Sequence, residues 1–323
     1  MRVVLLHHLF DDDERNLTAK GWDIVVREEG PPIPTEDEII EFAHKADGLV
    51  TFLTDKITPR VLDNLPHLRI IANCAVGYDN IDVDYATHKG IMVTNTPDVL
   101  TNAVAEYTWG LILALVRHIH EADRFTRAGK FNGWQLALFL GDELADKTLG
   151  IVGAGRIGTA VGLKAPGFHM SLLYYDKQRN VKLESIGARS CTLHELLQSS
   201  DIVTLHLPLT HETYHIIGEP ELSLMQPTAY LINTARGSII DEHALIDCLT
   251  TTCIKGAALD VYEYEPHVPK LLRELPNVLL LPHIGSATYK ARQLMSHATV
   301  TNLIAGLEGK IPPNLINPSV LKR

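Results

Sequence analysis

The sequence predicts an α/β architecture with two parallel sheets, and three observations carry that reading. Short β-branched runs alternate with helical segments from one end to the other, the pattern of parallel strands covered on both faces. A glycine cluster of GxGxxG spacing follows one of those runs near the middle of the chain. The length, 323 residues, exceeds the size at which a single hydrophobic core stops growing, so two domains are expected.

The first series of strands is RVVLL, WDIVV, GLVTF, RIIANC and IMVTN, with helical stretches such as EDEIIEFAHKA between them. Five strands suffice for a small doubly wound domain, placed at residues 1–98. One long helix is expected from Asn102 to Ala128. The second series, TLGIVG, SLLYYD, DIVTLHLP, AYLINTA, GAALDV and VLLLPHIG, fits one dinucleotide-binding sheet in a domain at residues 99–287. Residues 288–323 read as a helix up to Gly306–Gly309 and then a Pro-rich tail, with no strand left to make, and are expected to return to the first domain. Asp79 and Asp82 are expected to shape a turn and cap the helix after it.

Composition narrows the function. With 29 basic against 39 acidic residues the formal charge is −10, which disfavours nucleic acid or an anionic membrane as a partner but leaves room for a small anion bound locally. The apolar run at the start is too short for a signal peptide. GLILALV, bracketed by Glu106 and Arg117, is far below the ~20 residues of a membrane span and reads as a buried or interface helix. With the arm that follows, it points to a two-fold homodimer. Cys74, Cys191, Cys248 and Cys253 show no ligand spacing and are expected to be free thiols in the cytoplasm. His118 and His120, two apart on a helix, face away from each other, and no metal site is expected.

TLGIVGAGRIG sets Gly153, Gly155 and Gly158 directly after a strand and before a helix that starts near Arg156. That geometry asks for glycine at a tight turn, at the approach to a pyrophosphate and at the helix–strand contact, while helix N-terminal N–H groups receive the phosphates. The next strand ends in Asp176, where a carboxylate can accept both ribose hydroxyls. Against a 2′-phosphate ~4 Å away the same charge would cost up to about 4 kcal/mol at an effective dielectric of ~20. NAD is therefore expected, with NADP as a second choice because Lys177 and Arg179 lie close by.

Three later strands each end near a polar residue: Arg236 after YLINTA, Asp260 after GAAL and His283 after VLLLP, with Glu265 shortly beyond Asp260. Strand carboxyl ends share one rim of a parallel sheet, where ligands bind. A cation for a carboxylate, a proton donor and an acid to hold the donor's charge would thus share that rim.

VGYDNID, GAGRIG, INTARGSIIDEHAL, GAALDVYEYEP and LPHIGSAT, in this order, resemble the D-isomer-specific 2-hydroxyacid dehydrogenase family, nearest to its glyoxylate/hydroxypyruvate reductases. The resemblance runs from about Gly48 to Pro318. It implies a Rossmann domain plus a smaller flavodoxin-like substrate domain, and hydride transfer between NAD(H) and a small 2-oxo acid. By the same resemblance Arg236 would grip the substrate carboxylate, His283 would protonate the carbonyl oxygen, and Glu265 would favour the imidazolium of His283. The cofactor would meet Gly153, Gly155, Arg156, Ile157, Gly158, Asp176, Leu207, Pro208, Thr234 and Asp260. Val76 and Gly77 would offer backbone N–H groups to the substrate. Trp134 matches an aromatic position that in these reductases reaches a partner's site; simple interface packing is the plainer reading, and it stays outside the catalytic set.

Departures from the family pattern are also visible. Pro166 stands where the family continues a helix, so that helix is expected to end early. Val76 replaces the lysine of phosphite dehydrogenase, which argues against phosphite. LTTTCIKGAALDV lacks the glycine common in this turn. Two rivals remain open: D-lactate or another D-2-hydroxyacid dehydrogenase, and an NAD-sensing corepressor-like protein without turnover. A phosphoglycerate dehydrogenase usually carries a further regulatory domain, for which this length leaves no room.

Overall fold

A computed structural model describes residues 1–28 and 33–322. The chain forms two compact units, one of residues 1–100 with 288–323 and one of residues 101–287, and crosses between them at Leu100–Thr101 and Ala287–Thr288.

The first unit holds β1 (Arg2–Leu5), β2 (Asp23–Val26), β3 (Gly48–Thr51), β4 (Ile70–Asn73) and β5 (Met92–Thr94) in the order β2-β1-β3-β4-β5, every pair parallel. These are the five strands expected, in the flavodoxin-like order. Their alternation is readable in the core. Val4, Leu49, Ile71 and Val93 pack on one face with Ile39, Val61 and Leu62, while Val3, Leu5, Val50, Ile70 and Ala72 pack on the other with Leu17, Val300 and Leu303. The helix Tyr289–Leu307, capped by Thr288 accepting from Ala291 N–H at 3.1 Å, supplies the last of these. Edge strand β5 is closed by the tail: Asn317, 5 % exposed, accepts from Val93 N–H at 2.9 Å and donates to the Ile91 carbonyl at 2.9 Å. Asp82 caps the helix Val83–His88 by accepting from Tyr85 N–H at 2.8 Å, as expected.

The second unit holds β6 (Thr148–Val152), β7 (Ser171–Tyr175), β8 (Arg189–Ser190), β9 (Ile202–Leu205), β10 (Tyr230–Asn233), β11 (Gly256–Leu259) and β12 (Val278–Leu280). All run parallel in the order β12-β11-β10-β9-β6-β7-β8. The sheet thus has one strand more than expected. β8 is two exposed residues on the edge of β7, too short to leave an apolar pattern.

The single long helix is corrected to two, Thr101–Val116 and Ile119–Arg127. The carbonyl of Val116, which a continuing helix would use, accepts instead from Asp142 N–H at 2.9 Å, and His118 turns left-handed at φ 52°. Gly141 permits this return, because a Cβ there would collide with the Val116 carbonyl. The helix after the glycine loop stops at Gly162, and Pro166 sits in a following 3₁₀ turn, Ala165–Phe168, in line with the expectation for that proline.

The expectation of four free thiols is also corrected. Cys74 and Cys191 are free, but Cys248 and Cys253 form a disulfide. It spans the end of the helix Glu242–Thr250, where Cys253 N–H bonds to the Cys248 carbonyl at 2.9 Å and Thr252 N–H to the Leu249 carbonyl at 3.3 Å. This is a Schellman ending, whose usual hydrophobic contact between the third-last and second-following residues is replaced by the covalent bond. The left-handed position is Thr252, at φ 56°, which explains the missing glycine: the turn keeps its shape with a β-branched residue in it. Thr252→Gly is expected to stabilise the protein by about 1 kcal/mol, read as a rise in Tm of roughly 2–4 °C by calorimetry.

Candidate active site

Because the seven strands are parallel, their carboxyl ends form one rim. β6 and β9 are neighbours whose chains leave in opposite directions across the sheet, to β7 and β10, and such a switch point opens a crevice. The glycine loop lies there. Gly153 is at φ 95°, and a Cβ on it would come within 2.8 Å of His206 C and Leu207 N. A Cβ on Gly158 would meet the Gly153 carbonyl, while one on Gly155 would meet open space. The first and third glycines are thus demanded by the loop's own packing, and the second leaves its backbone open to a ligand. The helix Arg156–Gly162 follows at once, with Ile157 packed on the core and Arg156 on the surface.

Asp176 follows β7 and ties the loop down, accepting from Ala154 N–H at 2.8 Å and from Gln178 N–H at 3.0 Å. Leu207 and Pro208 follow β9, the Pro208 carbonyl accepting from Thr213 Oγ1 at 2.6 Å. Thr234 follows β10, its hydroxyl 3.2 Å from that of Thr108. Arg236 extends the same turn and donates from Nη1 to the Ala235 carbonyl at 2.8 Å. The turn is shaped by Asn233, 1 % exposed, which accepts from Ala235 N–H at 3.0 Å and donates to the Arg236 carbonyl at 2.8 Å.

A histidine–carboxylate pair completes the rim. His283 Nδ1 lies 2.8 Å from Glu265 Oε2, and Glu265 Oε1 accepts from Tyr262 N–H at 3.0 Å. A carboxylate only accepts, so Nδ1 carries a proton and Nε2 is the ring atom left for chemistry. His283 is left-handed at φ 54° and is held there by its neighbours: Asp260 accepts from Ile284 N–H at 2.9 Å and Gly285 N–H at 2.8 Å. In the first unit, Val76 and Gly77 follow β4; their carbonyls accept from Asn95 at 2.8 Å and Asn73 at 2.9 Å.

Comparison with known proteins fits this arrangement. Residues 109–285 match the family model described as D-isomer specific 2-hydroxyacid dehydrogenase, NAD binding domain. Over 312 residues the chain is 50% identical to a glyoxylate reductase of Thermococcus gammatolerans, covering 95% of this chain and 93% of that one.

The chain belongs to the D-isomer-specific 2-hydroxyacid dehydrogenase family.

Among solved structures of similar fold, a protein of Thermus thermophilus superposes with a TM-score of 0.91 at 38% identity, covering 98% of this chain and 100% of that one. An NADPH-dependent glyoxylate/hydroxypyruvate reductase of Sinorhizobium meliloti has a TM-score of 0.84 at 31% identity, covering 99% of this chain and 98% of that one.

As in the family, the second unit is an NAD-binding domain, and the loop fits the dinucleotide: an open backbone at Gly155, a helix N-terminus and the Asp176 carboxylate. The basic residues that kept NADP in view are both paired with acids, Lys177 with Glu212 and Arg179 with Glu184 at 2.7 Å. No group of His, Cys, Asp or Glu among the described residues is arranged to hold a metal.

The structure adds residues that the sequence analysis missed. Tyr107 donates from its hydroxyl to Asp260 Oδ1 at 2.9 Å, from a helix read only as apolar packing. Asp260 is 1 % exposed; burial raises its pKa against the pull of the Ile284, Tyr107 and Gly285 donors. His206 sits against the glycine loop with Nε2 3.0 Å from Thr204 Oγ1, and burial pushes its pKa down to about 3. Nothing in a lone histidine after an apolar strand signals such a place. A folded-state pKa below the unfolded value of about 6.5 means the unfolded chain binds the extra proton, so stability falls as pH drops from 6.5 towards 3. Between pH 7 and 5 this residue is expected to cost about 1–2 kcal/mol, and His206→Asn to remove that part of the loss in urea titrations at the two pH values.

Proposed function

We propose that this chain reduces a short 2-oxo acid, glyoxylate or hydroxypyruvate, reversibly, giving the D-hydroxy acid where the product is chiral. The observation that carries the reading is the His283–Glu265 pair at 2.8 Å, on the rim that also bears Arg236 and the glycine loop. Bound NADH supplies the hydride. Arg236 holds the substrate carboxylate through charge-assisted hydrogen bonds and draws electron density from the adjacent carbonyl. Val76 and Gly77, in the first unit, are proposed to offer their backbone N–H groups to a substrate carboxylate; their carbonyls are already engaged by asparagines. His283 holds a proton on Nε2 and delivers it to the carbonyl oxygen, while Glu265 carries the compensating charge. Asp260 acts on the loop of His283, and Thr234, Leu207 and Pro208 line the cofactor path with Gly153, Arg156, Ile157 and Asp176.

Relatives named glyoxylate reductase at about 50% identity support the substrate class, as does the glyoxylate/hydroxypyruvate reductase neighbour. The deciding experiment is NADH oxidation with a panel of 2-oxo acids, repeated with NADPH. Turnover of glyoxylate and hydroxypyruvate with a higher kcat/KM for NADH is expected. Activity on none of the panel would favour a binding role without turnover, and best activity on pyruvate would favour a lactate dehydrogenase.

A homodimer is part of the proposal. The helix Ile119–Arg127 buries none of its residues within the chain, and the following arm exposes Phe131, Trp134, Leu136 and Leu140, Trp134 at 80%. Light scattering on the purified protein tests this. The cytoplasm is the proposed compartment.

His283→Ala is expected to lower kcat by ~10² or more with NADH affinity retained, and unchanged turnover would remove His283 from the mechanism. For Glu265→Gln, kcat is expected to fall ~10-fold or more with NADH affinity retained, because the ring of His283 loses the carboxylate that holds it at 2.8 Å, and an unchanged kcat counts against the pair.

A further inference from the structure

The pair His283–Glu265 and the turn of Arg236 are held by a joint in which His215 and Glu263 have no part in the reaction described above. The turn of Arg236 rests directly on the Tyr262–Glu263 peptide: a Cβ on Gly237 would collide with Tyr262 C and O and with Glu263 N. On the other side of that peptide, Tyr262 N–H supports Glu265 at 3.0 Å, and the Tyr262 hydroxyl donates to the Leu281 carbonyl, two residues before His283, at 2.8 Å. One peptide therefore sets the relation between the guanidinium turn and the acid–histidine loop.

What holds that peptide is the Glu263 carboxylate, whose side chain is 4% exposed. It accepts from His215 Nε2 at 2.8 Å, from the Tyr214 hydroxyl at 3.3 Å and from Glu242 N–H at 3.4 Å, and Glu242 accepts in return from Glu263 N–H at 3.4 Å. His215 itself is clamped on the Arg236 turn. Its N–H bonds to the Ser238 carbonyl at 2.9 Å, the next bonds of the same short ladder run from Ile217 N–H to Ile239 O and from Asp241 N–H to Ile217 O, and its ring stacks on Tyr214 at 3.9 Å. His215 is left-handed at φ 50°, a strained conformation kept by these contacts. A nearly dry carboxylate bonded to a histidine from another loop is expensive to break and so fixes geometry.

We infer that His215 and Glu263 are positioning residues for the proposed reaction, locking the Arg236 turn to the Glu265–His283 loop through the Tyr262–Glu263 peptide. The inference rests on the proposed function for its kinetic consequence and on the geometry alone for its structural one. None of the lock's bonds reaches the glycine loop, so its loss is expected to weaken handling of the 2-oxo acid more than binding of the cofactor.

The test compares the full-length protein with Glu263→Ala, Glu263→Gln and His215→Asn. In Glu263→Ala, kcat/KM for the 2-oxo acid is expected to fall roughly 10- to 100-fold while NADH Kd, from fluorescence titration, stays within about twofold. Glu263→Gln, whose amide oxygen in the place of Oε1 still accepts from His215 and Tyr214 while the bond from Glu242 N–H is lost, should recover part of the loss, and His215→Asn should fall between Glu263→Ala and the wild type. Wild-type kcat/KM in Glu263→Ala overturns the inference, as does an equal loss of NADH affinity or a Gln variant no better than Ala. Hydrogen exchange gives a reading free of turnover: amides of 236–241 and 262–265 should exchange faster in Glu263→Ala, those of 153–158 unchanged. A wild-type chain inactive on every 2-oxo acid refutes the proposed reaction only, and uniform exchange across the variants refutes the lock.

Discussion

The buried carboxylate of Asp260 is the interaction on which the rim is built. At 1 % exposed it has left water, and it does so because three donors meet it: the Tyr107 hydroxyl and the N–H groups of Ile284 and Gly285. Those donors come from the helix Thr101–Val116 and from the loop after β12, while Asp260 itself directly follows β11. One charge thus joins three elements, and the residue immediately before its two backbone partners is His283. The left-handed backbone of His283 would relax without that anchor. The rim is stiff at the loop of His283, and it is stiff because a carboxyl group has been buried among three donors.

Parallel topology supplies the other condition. Strands buried on both faces read as continuous apolar runs, and every strand of the second unit ends on the same side. Polar residues that follow those runs are therefore delivered to one edge with no need for neighbouring positions in the chain. Tight glycines then bring loops into contact: Gly153 against His206 and Leu207, and Gly237 against Tyr262 and Glu263. At both places a side chain is excluded by backbone atoms of the neighbouring loop, so these glycines set how closely adjacent loops of the rim approach.

Much of this was legible because it lives in local pattern. The five strands of the first unit, the glycine loop, the acid after β7 and the early helix stop near Pro166 are encoded by residues close in sequence, where β-branched runs, glycine spacing and proline sterics act directly. The pairing of Glu265 with His283 was reached through the family resemblance. What stayed hidden depends on partners far along the chain. The helix break at His118 exists because Asp142 takes the Val116 carbonyl, and Tyr107 looked like one more residue of an apolar helix until Asp260, 153 positions later, came to its hydroxyl. The disulfide escaped for a different reason: Cys248 and Cys253 have no recognised spacing, and only the Schellman turn with Thr252 at its left-handed position brings them together.

Asn317 carries a consequence of its own. Its amide completes the hydrogen bonding of β5, accepting from Val93 and donating to Ile91, so the outermost strand of the first sheet presents no vacant row at that point. An uncovered strand of this kind recruits whatever extended peptide it meets, including the same strand of a neighbouring molecule. The Pro-rich tail, unremarkable as sequence, thereby covers this edge against edge-to-edge strand pairing, its backbone sharing the task with the carboxamide through Ile316 N–H, which bonds to the Val93 carbonyl at 2.8 Å.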